Sequence, residues 1–333
     1  MNAALPAPVV TAMARREYRM HHLLWHEIRR FWLQYSGDVQ DKIRELGWEP
    51  PRPGRDENEF PILTNNSGQD FLYMRRQLNQ RVNRILAEVG DPHYPLVEGW
   101  VQLPGPRDPD FPVPPPWFDP GAHPIRNRYL VRIKTDVVFE KHLRHWERTF
   151  SDPVFLRSVS LGELGAHLDF YLFDPFRRRW AAAPGATRPE SSPDRSEAIA
   201  TEWDDPRYDY LGDYYSMHVN PAYWRFSGWV EDRIEEWKAA NGVFGNDFWT
   251  GTWVGKMPEV QPAAVQSLSS GLADGELPDG LAEMEELVRT IAGSGRISSM
   301  RLGDQRLLDV IEPGAPSGGG HPPEPHPGNG DHH

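Results

Sequence analysis

The chain of 333 residues contains no cysteine. Disulfides, thiolate metal sites and a cysteine nucleophile are excluded together, and a reducing cytoplasm is the compartment this fits. A surplus of basic charge is also missing: 36 Lys and Arg stand against 48 Asp and Glu, a net charge of −12. A nucleic-acid backbone or an anionic membrane surface calls for clustered Lys and Arg, so neither is an expected partner. No apolar run approaches the roughly 20 residues of a membrane span. The N-terminal stretch MNAALPAPVVTAMARREYRM has no basic start, and prolines split its short apolar run, so it reads as a poor signal peptide. SLGELG lacks the Gly-Lys-Ser/Thr ending of a phosphate loop, and no G-x-S-x-G elbow occurs.

What the chain does have is bulk and punctuation. Thirteen Trp, 14 Phe and 11 Tyr supply large apolar side chains for a core, while 33 Pro and 29 Gly imply long irregular connections. Helical spacing runs from Thr11 to about Tyr35, with Leu24, Ile28, Phe31 and Trp32 on one stripe and Gly37 past the end. A second helix is expected over Ser67 to Val89, with Ser67 as N-cap and Asp70 completing a capping box. Residues 91–130 are proline-rich and read as an extended excursion. Further helices are expected at about Thr135–Phe150, Leu161–Phe173, 221–240, 279–293 and 303–311. The 221–240 helix has Asn220 as cap, Pro221 at its first position and Gly242 beyond its end. Its stripe of Tyr223, Phe226, Val230, Ile234 and Trp237 faces a core, with Arg225, Glu231, Glu235, Glu236 and Lys238 on the wet side. GVFGNDFWTGTWVG (242–255) reads as a turn or short hairpin. Residues 181–200 read as a mobile linker, and 312–333 as a disordered His-, Pro- and Gly-rich tail. The fold class is mainly α: one helix bundle over residues 1–311.

The chemistry-bearing signal is MHHLLWHEIRR. His22 and His26, four apart, project from one helix face at a spacing that suits one metal ion, or equally a packed core pair. KHLRHW places His142 and His145 beside Lys141 and Arg144, which reads as a solvated face. His93, His123 and His167 stand singly, and the tail histidines bind stray metal without meaning.

Three short segments in order resemble the tyrosinase-like, type 3 copper family, whose di-copper-centre fold is shared with hemocyanin. The likeness is to the bacterial members grouped with the pyoverdine-maturation tyrosinase. It spans about residues 12–242. The family's F-L-x-x-H-R helix corresponds to FLYMRR (71–76), with Arg75 in the ligand position. Its H-N-x-x-H helix corresponds to FDPFRRRW (173–180), which puts Phe173 and Arg177 where histidines stand. Its D-P-x-F-W-x-x-H helix corresponds to NPAYWRFS (220–227), with Ser227 as the replacement; His218, in the approach segment, is not an expected ligand. The loop ligand expected before FLYMRR has no counterpart, though Asn65 and Asn66 stand nearby.

The resemblance therefore implies a bundle whose copper pair has lost most of its imidazoles. Phe has no lone pair, and Arg stays protonated. The expectation is an interior pocket of Arg75, Phe173, Arg177 and Ser227, in which both guanidiniums meet carboxylates from among Asp70, Glu163, Asp169 and Asp174. Three functions stay open. The first is a degenerate, non-catalytic scaffold binding a small molecule or a protein partner, with no cofactor. The second is a metal-dependent oxidoreductase acting on an aromatic or amine substrate through an altered copper or other metal site at His22 and His26. The third is an unrelated helical assembly component.

Overall fold

The computed structural model describes residues 4–118, 122–183, 193–194, 196–258, 280–294 and 297–312. The 312–333 tail, apart from its first residue, and the centre of the 181–200 segment lie outside these. Among the described residues the fold is mainly helical, and the sole extended pairing is an isolated bridge between Arg55 and Pro61. No helix among them is long and apolar enough to cross a membrane.

The helices are α1 (Ala7–Met13), α2 (Arg16–Phe31), α3 (Gly37–Glu45), α4 (Ser67–Val89), α5 (Pro124–Arg132), the single turn α6 (Asp136–Val138), α7 (Arg144–Phe150), α8 (Pro153–Ser158), α9 (Leu161–His167), α10 (Asp174–Arg179), α11 (Pro221–Asn241), α12 (Leu281–Ala292) and α13 (Ile297–Ile311). One apolar core joins side chains from Leu5 to Ile311. At its centre α4 packs along α9 and against α11, α12 covers α2 and α3, and α13 covers α5.

The α4–α9 contact is so close that only glycine fits it. A Cβ built on Gly68 would lie 2.0 Å from the carbonyl oxygen of Gly162, and one on Gly165 would lie 2.0 Å from that of Gly68. Gly228 of α11 meets Gly99 in the same way, with a Cβ 2.3 Å from the Gly99 nitrogen. Beside these approaches Phe71 of α4 lies 5.7 Å from Phe173, and Arg75 of α4 stands over the Tyr223 ring of α11.

The chain between α9 and α10 widens into a π-helical turn, Leu168–Phe173. Such a turn adds a residue to the helix and re-aims the side chains beyond it. Pro175, just past its end, has no N–H to give the carbonyl one turn back, that of Tyr171, which accepts from His142 Nε2 at 2.6 Å instead. A second π-helical turn, Phe139–Leu143, joins α6 to α7.

Several local expectations are corrected. Ser67 begins α4 instead of capping it: Asn66 takes the left-handed conformation at φ 61°, and Asn65 Oδ1 accepts the Ser67 N–H at 3.0 Å. The Asp70 carboxylate instead accepts the backbone N–H of Trp253 at 2.9 Å. The 242–255 stretch holds a turn at 247–248 but, among the described residues, no hairpin. It runs as an irregular strap whose amides at Thr250 and Gly251 donate to Gln69 Oε1 at 2.8 and 3.1 Å. The excursion at 91–130 runs into α5, and the linker's end is packed, with Ala198 and Ile199 buried. His142 is buried, and Arg225 of the wet face is buried too. α11 starts and stops where Asn220, Pro221 and Gly242 imply, with Asn220 Oδ1 accepting the Ala222 N–H at 2.9 Å.

Replacing Gly165 by alanine should cost about 1–3 kcal/mol, because backbone and not a movable side chain meets the new methyl. A lowered urea midpoint with unchanged slope would show it; an unchanged midpoint would mean that the helices are less closely packed.

Candidate functional site

Four helical segments and one loop meet at the centre. α2 contributes His22 and His26, α4 contributes Phe71 and Arg75, the π-helical turn ends in Phe173, and α11 carries Tyr223 and Phe226. Tyr214 enters from the loop before α11. All are buried.

Arg75 is the unusual member. Its guanidinium carbon lies 4.0 Å from the Phe173 ring centroid, 4.7 Å from Phe71, 5.1 Å from Tyr223 and 5.3 Å from Phe226. It is 2% exposed, and none of Nε, Nη1 and Nη2 has a hydrogen-bond partner among the described residues. Desolvation by burial lowers its pKa, yet an arginine stays protonated in a protein. The aromatic faces return part of the burial cost, about 0.5–2 kcal/mol for each good contact. They satisfy charge, not N–H direction: five donors still point at no acceptor. The expected carboxylate partner is absent among the described residues. Asp169 acts on Arg75 only at longer range, since it is bonded to Arg29 at 2.7 Å.

Arg177 behaves as expected. Its Nε meets Asp174 at 2.9 Å, Nη1 donates to the Gly212 carbonyl at 2.6 Å, and Nη2 donates to the Tyr214 hydroxyl at 3.2 Å. Asp174 also takes Arg30 and Arg55, each at 3.1 Å, and Glu59 holds Arg30 at 3.0 Å. Burial pushes the Asp174 pKa up, but Arg30, Arg177 and Arg55 outweigh it and hold the carboxyl well below its usual range. Of the other proposed partners, Glu163 closes a capping box with Ser160, and Asp70 faces Arg52 at 3.0 Å.

The four residues aligned with family ligands are thus not one cluster. Arg75 and Phe173 touch. Arg177 is joined to them through Tyr214, whose ring lies 4.3 Å from its guanidinium and stacks on His26 at 4.1 Å with an interplanar angle of 7°. His26 in turn lies 5.7 Å from Phe173. Ser227 is fully buried one turn along α11 from Tyr223, and its hydroxyl has no partner among the described residues.

The histidines do come together: the His22 ring lies 4.8 Å from His26 and 4.9 Å from His218. Both His22 nitrogens are engaged, Nδ1 with the Tyr214 carbonyl at 2.9 Å and Nε2 with the Tyr223 hydroxyl at 3.3 Å. The simplest tautomer has Nδ1–H donating to the carbonyl and Nε2 accepting from the phenol. His218 Nε2 donates to the Met13 carbonyl at 2.8 Å. Desolvation holds His22 and His26 well below their usual pKa, and neighbouring histidines and Arg75 push the same way. These donors do not fit a copper pair. The free lone pair of His22 is met by a phenol, and a fixed cation stands beside both imidazoles. No metal-binding group of three or more His, Cys, Asp or Glu occurs among the described residues.

Sequence reasoning missed Tyr214, Arg30, Arg55, Glu59 and Asn79. Tyr214 sits in an irregular segment without periodicity, Arg55 in the isolated bridge and Glu59 in the bend between it and Pro61. Only the cluster of arginines in WHEIRR hinted at a buried network. Compared with known protein families and with curated proteins, the chain has no match.

Two outcomes are expected. Asp174→Asn leaves three guanidiniums without their shared anion, and should cost about 3–5 kcal/mol in a urea melt. Acid should destabilise the fold through its histidines. Burial pushes His142 down to about 4 and His218 to about 3. The unfolded chain takes up those protons near pH 6.5, whereas the folded chain does so only lower. Stability is therefore full above about pH 6.5 and falls progressively below it, which urea midpoints at pH 7.5, 6 and 5 would reveal.

Proposed function

We propose that this chain is a non-catalytic scaffold on a helix bundle of the tyrosinase-like, di-copper-centre type, and that it holds a small anionic molecule against the N–H edge of Arg75. One observation carries the reading: a buried guanidinium held among four aromatic rings, whose donors meet no acceptor among the described residues. A carboxylate or similar planar oxyanion matches that edge with two parallel hydrogen bonds and supplies the missing charge. A guanidinium standing in one former ligand position would repel copper and attract such an anion. The burial of Arg75, His22 and His26 favours a small ligand over a protein surface. The cysteine-free composition suits work in the cytoplasm.

The test uses the full-length chain and sodium formate, acetate and benzoate at constant ionic strength. One of them should raise the melting temperature saturably, by the equivalent of about 2.7 kcal/mol at a hundredfold excess over Kd. Arg75→Met should abolish that response and, without ligand, leave the protein as stable or more stable, because it replaces a buried cation with an apolar chain. Melting indifferent to every anion, or phenol turnover by copper-loaded protein, would overturn the proposal.

A further inference from the structure

Asn79 lies one helical turn beyond Arg75 on α4, and Ser227 lies one turn beyond Tyr223 on α11, so each pair shares a helix face. The two helices pack together. Arg75 stands 5.1 Å from the Tyr223 ring, and Asn79 Nδ2 donates to the Ser227 carbonyl at 3.2 Å. That bond fixes the amide's orientation: the nitrogen is engaged and Oδ1 turns elsewhere. Asn79 Oδ1 and Ser227 Oγ are both buried, and neither has a hydrogen-bond partner among the described residues. The α4–α11 seam thus presents, in order, the unmet donors of Arg75 and then an unmet acceptor and an unmet hydroxyl.

We infer, resting on the anion reading above, that the ligand is a short hydroxycarboxylate: its carboxylate on Arg75 and its hydroxyl donating to Asn79 Oδ1. A bare carboxylate would leave that acceptor unmet, and an aminocarboxylate would bring an ammonium into an interior already rich in guanidinium. Arg75 and Asn79 follow one another along α4, about 6 Å apart on the helix axis, so a short ligand lying along the seam would meet one and then the other. Ser227 Oγ completes the set, donating to the ligand or accepting from it.

Titration calorimetry of the full-length chain with sodium acetate and sodium hydroxyacetate separates the possibilities. The hydroxyacid should bind roughly tenfold tighter or more, because a site that bonds a hydroxyl discriminates strongly against the analogue lacking it. Asn79→Leu should bring the two affinities together by weakening the hydroxyacid while leaving acetate unchanged. Ser227→Ala, a smaller change in case the first variant folds poorly, should narrow the gap partly. Equal binding of both acids to the unaltered protein, or a preference that survives both substitutions, would overturn this inference and leave the anion reading standing. Binding of neither acid, nor of formate or benzoate, would overturn both.

Discussion

The interior of this protein is governed by the need to solvate guanidinium groups without water. Arg29, Arg30, Arg55, Arg75 and Arg177 are buried around Asp169, Asp174 and Glu59. The carboxylates are outnumbered, so the arrangement closes only by sharing. Asp174 serves three arginines, Asp169 serves Arg29, and backbone carbonyls and the Tyr214 hydroxyl take further N–H groups. A buried ion pair returns its desolvation cost only when the remaining donors are also met. Arg177 satisfies that condition. Arg75 does not, and the aromatic rings around it offset only part of the cost.

That imbalance connects the fold to the proposed function. The rings around Arg75 come from α4, α11 and the end of the π-helical turn, and the glycine contacts between α4 and α9 let those backbones approach closely enough to enclose it. The π-helical turn matters as much. Asp169 lies within it, Phe173 ends it and Asp174 comes directly after, so its added residue decides which of these side chains faces Arg29, Arg75 or Arg177. A centre built in this way surrounds the Arg75 guanidinium with aromatic rings and leaves its donors unmet among the described residues, and the proposed anion-binding reading rests on that imbalance.

Much of the scaffold is readable from the chain. The capped, proline-started helix at Pro221–Asn241 carries its boundary signals within a few residues, and so does the apolar spacing of Ser67–Val89. Local hydrogen bonding decides such features, and local sequence reports it. The strap at 242–255 and the capping at the start of α4 escape a sequence reading for the converse reason. Gln69 and Asp70, which look like helix-start residues, are used by a segment far along the chain.

The sequence by itself determined that the core would be helical, free of disulfides and rich in aromatic residues; only the resemblance to the tyrosinase-like family pointed to Arg75, Phe173, Arg177 and Ser227. Periodicity, capping and residue chemistry act over a few residues, so they survive in one dimension. Only the tertiary structure decided that Arg177 is neutralised while Arg75 is not, that Tyr214 lies between His26 and Arg177, and that Asn79 and Ser227 share a seam with unmet polar atoms. Whether a buried charge finds its partner depends on distances of a few ångströms between segments that the chain keeps far apart, and no local pattern encodes those distances.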